Sequence, residues 1–195
     1  MHDVLLPADA LSHGQIKSKI WLSQRLNSWI PKHITTPADD YTLNWYGSWV
    51  GMGPFLFLAQ TQLRFLDINL IDLDATSLEK SRHLLEYWRC EWARLHTHQI
   101  DFNLFTPSDQ PHQFFFNTSC EHDPNNSWVK KIPTGSFVLL QSTDMPHPEH
   151  VNSPKDLKHF LSLYENCLKI LESEQLNFKY PDKSFSRFML FGIKK

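Results

Sequence analysis

The chain has 195 residues, 41% of them hydrophobic and 21% charged, with a net charge of −2. This is the size of one domain of roughly 100–200 residues with an ordinary globular composition. The near-neutral balance speaks against a broadly basic face, so nucleic acid is not an expected partner, and three cysteines, Cys90, Cys120 and Cys167, are too few for a disulfide framework or a zinc module.

Few cysteines fit a reducing, cytoplasmic setting. Residues 1–15 have no basic stretch and no long apolar run, so no signal peptide is expected. The run from Trp45 to Ala59 is too short and too interrupted for the roughly 20 residues of a membrane span.

In chain order, Ser12 to Ile30 reads as an amphipathic helix ended by Pro31, with Ile16, Ile20, Leu22, Leu26 and Trp29 at helical spacing. Gln15, Lys17 and Lys19 lie near its start. They are either a solvated face or part of a lid that reaches a ligand. Residues 1–38 are expected to form this helical cap and residues 39–195 the main domain.

The stretch TLNWYGSWVGMGPFLFLAQTQ, Thr42 to Gln62, reads as strand, glycine turn and buried helix. The strand is expected over Asp39–Tyr46 and the helix over Pro54–Thr61, with Pro54 at its first position. The glycines would permit positive φ and close ligand approach, and the helix N-terminus would offer N–H groups to an anion.

A second strand is expected over Phe65–Asp74, with Asp74 capping the next helix. Leu78, Leu84, Leu85, Trp88, Trp92 and Leu95 would form that helix's buried stripe. Asp72 lies 21 residues after Gly51. In dinucleotide-type folds an acid at about that distance tops the second strand and accepts from ribose hydroxyls.

A third strand is expected over Gln99–Asn103, with Asp101 near its end. Then Phe114-Phe115-Phe116 stops abruptly at the polar segment NTSCEH, Asn117 to His122. Ligands bind outside the carboxyl ends of parallel strands, where this segment would sit. A short helix over Ser127–Lys131 and a strand over Ser136–Ser142 follow.

Ser153-Pro154-Lys155-Asp156 carries helix-start signals, with Leu157, Phe160, Tyr164, Leu168 and Leu171 as the buried stripe. Phe178–Tyr180 and Arg187–Ile193 close the chain as an antiparallel pair, because their connection is too short for a parallel crossover. The expected fold is α/β: a Rossmann-like, doubly wound, mostly parallel seven-stranded sheet with a C-terminal antiparallel hairpin, preceded by a helix.

The element order, glycine turn and IDLD acid resemble class I S-adenosylmethionine-dependent methyltransferases over Asp39 to Ile193. GQIKSK at Gly14–Lys19, GSWVG at Gly47–Gly51, NTSCEH, PTGSFVLLQS at Pro133–Ser142, EHV at Glu149–Val151 and SRFMLFG at Ser186–Gly192 resemble a group of small bacterial and phage methyltransferase-like proteins. The resemblance implies S-adenosylmethionine as cofactor and a small-molecule substrate. Gly47, Ser48, Trp49 and Gly51 would then line its methionine part, Asp72 would hold the ribose, Leu73 would pack on adenine and Asp101 would face the adenine amino group. Asn117 stands where many relatives begin an Asp/Asn-Pro-Pro-Tyr segment, but Thr118, Ser119 and Cys120 follow instead. That departure argues against amino-group methylation of adenine or glutamine.

Glu121 and His122 are the acid/base candidates. Cys120 is either a nucleophile activated by His122 or a small buried residue; on an extended chain, residues 120 and 122 would share a face. His150 follows the fifth strand and could reach the same edge. The eleven histidines are scattered in sequence and give no convergent metal site. Aminocarboxypropyl transfer or cyclisation with the same cofactor is one alternative, and a non-catalytic Rossmann-like binding module is another.

Overall fold

Period-two alternation in the strands builds the core. Phe114 and Phe116 enter one buried cluster while Phe115 enters the other. Leu139 opposes Val138 and Leu140 in the same way, and Met189 and Phe191 oppose Phe188 and Leu190. Side chains of successive strand residues point to opposite faces, so these strands must be covered on both sides.

The computed structural model describes residues 6–34, 40–86 and 93–195. It contains one seven-stranded sheet of order β3-β2-β1-β4-β5-β7-β6. The strands are β1 Tyr41–Tyr46, β2 Phe65–Asp72, β3 Arg94–Gln99, β4 Gln113–Asn117, β5 Phe137–Thr143, β6 Leu168–Lys179 and β7 Ser184–Lys194. The first five run parallel, and β7 pairs antiparallel with both β5 and β6. The expected doubly wound Rossmann-like architecture with a closing hairpin is therefore observed.

Helix α1, His13–His33, α2, Met52–Leu58, and α3, Ala75–Glu86, cover one face. The other face is closed by the short α4, Leu157–Ser162, and a 3-10 turn at Ser127–Lys131 carrying buried Trp128. No helix among the described residues is long and apolar enough to cross a membrane.

Several boundaries differ from the sequence reading. Pro31 sits inside α1, in its last turn, and the helix continues to His33. Helix α2 starts at Met52, so Pro54 is its third residue; any of the first four N–H groups lacks an intrahelical partner, which is why proline is tolerated there. Asp74 does cap α3, accepting from the Thr76 N–H at 3.0 Å. Leu95 belongs to β3 rather than to α3, and Trp88 and Trp92 lie outside the described residues.

The third strand is Arg94–Gln99, so Asp101 follows it in a turn instead of ending it. Helix α4 is capped by Asp156, whose Oδ1 accepts from the His159 N–H at 2.7 Å, not by Ser153. Leu168 and Leu171 lie on β6, where a register shift between Ile170 and Glu172 interrupts the alternation. Leu168 packs into one cluster and Leu171 against the other, so two covered faces give apolar residues a spacing of three, which imitates a helix in sequence.

A polar row crosses the sheet centre. His98 Nε2 lies 3.0 Å from Asn69 Oδ1, Asn69 donates to Asn44 at 3.0 Å, and Asn44 donates to Gln113 at 3.1 Å. Only one register pairs all these groups, so the row fixes the alignment of β3, β2, β1 and β4.

Helix α1 is fastened to the sheet by an ion pair and a histidine–carboxylate contact. Arg25 lies 2.6 Å from Glu174, and His33 lies 3.0 Å from Glu172, both acids on β6.

Candidate functional site

The turn after β1 takes three left-handed residues: Gly47 at φ 60°, Trp49 at φ 47° and Gly51 at φ 82°. A tryptophan costs energy in that region. Here the Trp49 N–H donates to Asp72 Oδ2 at 2.8 Å, which holds the residue in place. The Gly47 N–H donates to the Ile71 carbonyl at 2.9 Å. The tip of β2 therefore clamps the turn of β1. The second Asp72 oxygen accepts from the Asp74 N–H at 3.1 Å. Leu73, next in the chain, leaves 65% of its surface exposed.

Gly51 does not face the open edge. A Cβ there would come within 2.8 Å of Ser81 Cα, so this glycine lets α2 and α3 approach.

The turn after β4 is built differently. Asn117 is fully buried, and its Oδ1 accepts from the Ser119 N–H at 2.9 Å. Cys120–His122 then forms a 3-10 turn, not an extended segment. Residues 120 and 122 consequently do not share a face: Cys120 is buried in the core and His122 is exposed. Burial, reinforced by the Glu121 charge, pushes the Cys120 thiol well above its usual range. A neutral, enclosed thiol is no nucleophile, so the structure sets Cys120 in the packing.

Glu121 is 3% exposed, and its Oε1 lies 3.8 Å from Arg187 Nη1. Its Oε2 is buried without a hydrogen-bond partner. Arg187 sits near the start of β7, paired with Thr143 at the end of β5. Because β7 runs against its neighbours, its first residues lie where the parallel strands finish.

The two turns face one cavity of about 650 Å³. Gly47, Ser48, Trp49, Asp72 and Leu73 line one side, and Glu121, His122, His150 and Arg187 the other. Gln15 and Lys19, four residues apart on α1, close it from above. The Lys19 ammonium donates to Gln15 and stands 5.6 Å from the centroid of the Trp49 ring. Burial, with Arg187 nearby, pulls Lys19 down to about 7; the charges of Glu121 and Asp9 oppose the change. Ser48 Oγ is buried without a partner.

Of the residues expected at the site, Gly51, Asp101, Asn117, Cys120 and Lys17 do not line this cavity. Asp101 turns back on its own loop, accepting from the Asn103 N–H at 2.8 Å. Lys17 lies on another side of α1, over the Phe178 ring at 5.2 Å. Sequence reasoning missed Arg187 and Asp9. For Arg187 a signal existed: a charge heading the apolar strand RFMLFG must find a partner.

A doubly wound sheet of this order, with a clamped glycine turn after β1 and an acid topping β2, is the class I methyltransferase fold. No protein-family model matches the chain, and no curated relative matches it in sequence. Solved structures match it throughout. The N-methyltransferase NodS from Bradyrhizobium japonicum WM9 is 11% identical with a TM-score of 0.63, over 93% of this chain and 98% of that one. Magnesium protoporphyrin IX methyltransferase (ChlM) from Synechocystis PCC 6803, with bound SAH, is 9% identical with a TM-score of 0.67, over 94% and 88%. NodS in complex with S-adenosyl-L-homocysteine matches with a TM-score of 0.59 at 10% identity, over 90% and 86%. At such identities the likeness is one of fold.

Proposed function

We propose that this chain is an S-adenosylmethionine-dependent methyltransferase acting on a small molecule. The observation that carries the reading is the clamp between Asp72 and the Gly47–Trp49 turn at the mouth of a 650 Å³ cavity. A volume of that order suits a small-molecule site. Structures of the same fold named for methyl transfer, with bound SAM or SAH, support it. The NTSCEH segment supports placing the chain among small bacterial and phage methyltransferase-like proteins.

The residues present fit the cofactor. Asp72 keeps lone pairs for ribose hydroxyls beyond the two N–H groups it accepts. Ser48 Oγ is an orphan that a polar ligand atom would satisfy. The exposed face of Leu73 would lie under an adenine ring. When bound, the sulfonium supplies an electrophilic methyl group; the chain aligns the acceptor and removes its proton. Lys19, drawn down to about 7, is placed to take up that proton near neutral pH, and the imidazoles of His122, His147 and His150 line the same cavity. Gln15 and Lys19 on α1 would cover the acceptor.

Calorimetry with S-adenosylmethionine on wild type and Asp72→Ala tests the reading. We expect saturable binding that weakens about 10–100-fold in the variant, the effect of losing hydrogen bonds to a charged group. Equal binding, or none by wild type, would sink it. Product masses then separate methyl from aminocarboxypropyl transfer.

A further inference from the structure

We propose that Glu121, His122 and His150 form a binding site for a divalent transition-metal ion of the zinc type. The histidines are scattered in the sequence, but the fold gathers these three residues. One ligand atom from each lies within 4.8 Å of the others. Around a tetrahedral zinc such atoms stand roughly 3.3 Å apart, so closing the set takes shifts of at most about 1.5 Å.

Three further observations favour a cation here. First, Glu121 Oε2 is buried and has no partner, although Arg187 approaches the other oxygen. An orphaned carboxylate oxygen is costly, and a metal bond satisfies it. Second, His150 Nδ1 lies 2.7 Å from the Met145 carbonyl. A carbonyl only accepts, so Nδ1 carries the proton and Nε2 presents its lone pair. Metal-binding histidines are oriented in this way by the hydrogen bond of the other nitrogen. Third, the N–H groups of Val151 and Asn152 both donate to the Glu121 carbonyl at 3.0 Å. The loop carrying His150 is thus anchored on the residue that supplies the carboxylate, which sets the ligands before any ion arrives.

His147 is a neighbour with the opposite tautomer. Its ring centroid lies 5.1 Å from that of His150, but its Nδ1 accepts from the Glu149 N–H at 3.3 Å. Its Nε2 therefore carries the proton and offers no lone pair. Two imidazoles and one carboxylate favour zinc, cobalt or iron over calcium or magnesium, and three ligands leave a position open to the cavity. A metal there would occupy the His122 and His150 lone pairs and leave Lys19 to take up the acceptor's proton.

The test titrates the full chain, stripped with a chelator, with ZnCl2 by calorimetry and with Co2+ by visible absorption. We expect one saturable equivalent and a Co2+ spectrum typical of nitrogen and oxygen ligands. His122→Ala and His150→Ala should each weaken binding at least about tenfold, whereas His147→Ala should stay within about threefold. Neither histidine of the pair is buried, so these variants decide the matter even if Glu121→Gln fails to fold. Absence of saturable binding by wild type overturns the proposal, and so does wild-type binding by both variants, which would move the ion to other histidines such as His96 and His98. S-adenosylmethionine is titrated into the same metal-free protein. Cofactor binding without metal binding refutes the metal site alone; metal binding without cofactor binding refutes the methyltransferase reading alone.

Discussion

The turns that follow β1 and β4 end neighbouring strands and face one cavity, yet they are stabilised by different physics. Gly47–Gly51 is a backbone device: three left-handed residues, held by N–H groups donating to Ile71 and Asp72. Asn117–Asp123 is a side-chain device, with a buried amide, a buried carboxylate beside Arg187 and a buried thiol. Among the described residues, the second turn leaves Asn117 Nδ2, Glu121 Oε2 and Asp123 Oδ2 without partners, against Ser48 Oγ alone in the first. A turn made of backbone shape is one that a whole fold can share whatever its side chains. Unpaired polar groups keep binding capacity in reserve, and that is where one member of a fold differs from the next.

Removing charge from the second turn should do the most damage. Arg187→Met strands the Glu121 carboxylate, and urea unfolding should show a loss of about 3–5 kcal/mol. The double variant Arg187→Met/Glu121→Gln should recover most of it. A double variant as unstable as the single one would mean that the pair is not what holds this turn. Gly51→Ala attacks the first turn, combining left-handed strain with contact against Ser81 Cα. The same assay should show a loss of about 2–3 kcal/mol, and Ser81→Gly should not restore it because the clash includes backbone.

Lys19 joins the two turns, standing over Trp49 and within the fields of Arg187 and Glu121. Its ammonium falls from 10.5 to about 7 on folding, so the unfolded chain holds its proton more tightly. Stability from this residue is lowest below pH 7 and recovers as pH rises toward 10.5. Lys19→Met should therefore raise the stability measured by urea unfolding at pH 6, with the advantage fading by pH 10. A constant difference across that range would contradict the assignment. The smallest effect belongs to Cys120→Ala. It should cost about 1 kcal/mol from lost packing while S-adenosylmethionine affinity and turnover stay within about twofold. A hundredfold loss of turnover with affinity retained would restore Cys120 to the chemistry.

Strong local patterns made part of this legible in sequence. The triple phenylalanine marks the buried strand β4, the glycines mark the turn after β1, and the acid 21 residues after Gly51 marks the end of β2. The hairpin followed from the length of its connection. Edge strand β3, RLHTHQ, carries too few apolar residues to announce itself, because among the described residues one of its long sides meets no neighbouring strand. The start of β6 imitates a helix because Leu168 and Leu171, three apart, are covered on opposite faces of the strand. NTSCEH does follow β4 at the carboxyl edge of the parallel strands, but its 3-10 turn leans on the loop after β5, whose N–H groups hold the Glu121 carbonyl. Distant partners of that kind leave no trace in local spacing, and the meeting of Glu121, His122 and His150 is the same case.

Strand β7 is the last in chain order, yet it fills an interior slot between β5 and β6. During synthesis β5 is complete well before β7 exists. Its buried row, Val138 to Leu140, then ends in an unpaired edge of the kind that recruits other chains. At about 5–20 residues per second the slot stays open for roughly 2–8 s on the ribosome. Arg187 arrives with the strand that fills it. In a newborn chain, closing the sheet against aggregation and finishing the cavity wall are one event, and a ligand that stabilises the finished cavity also favours the closed edge.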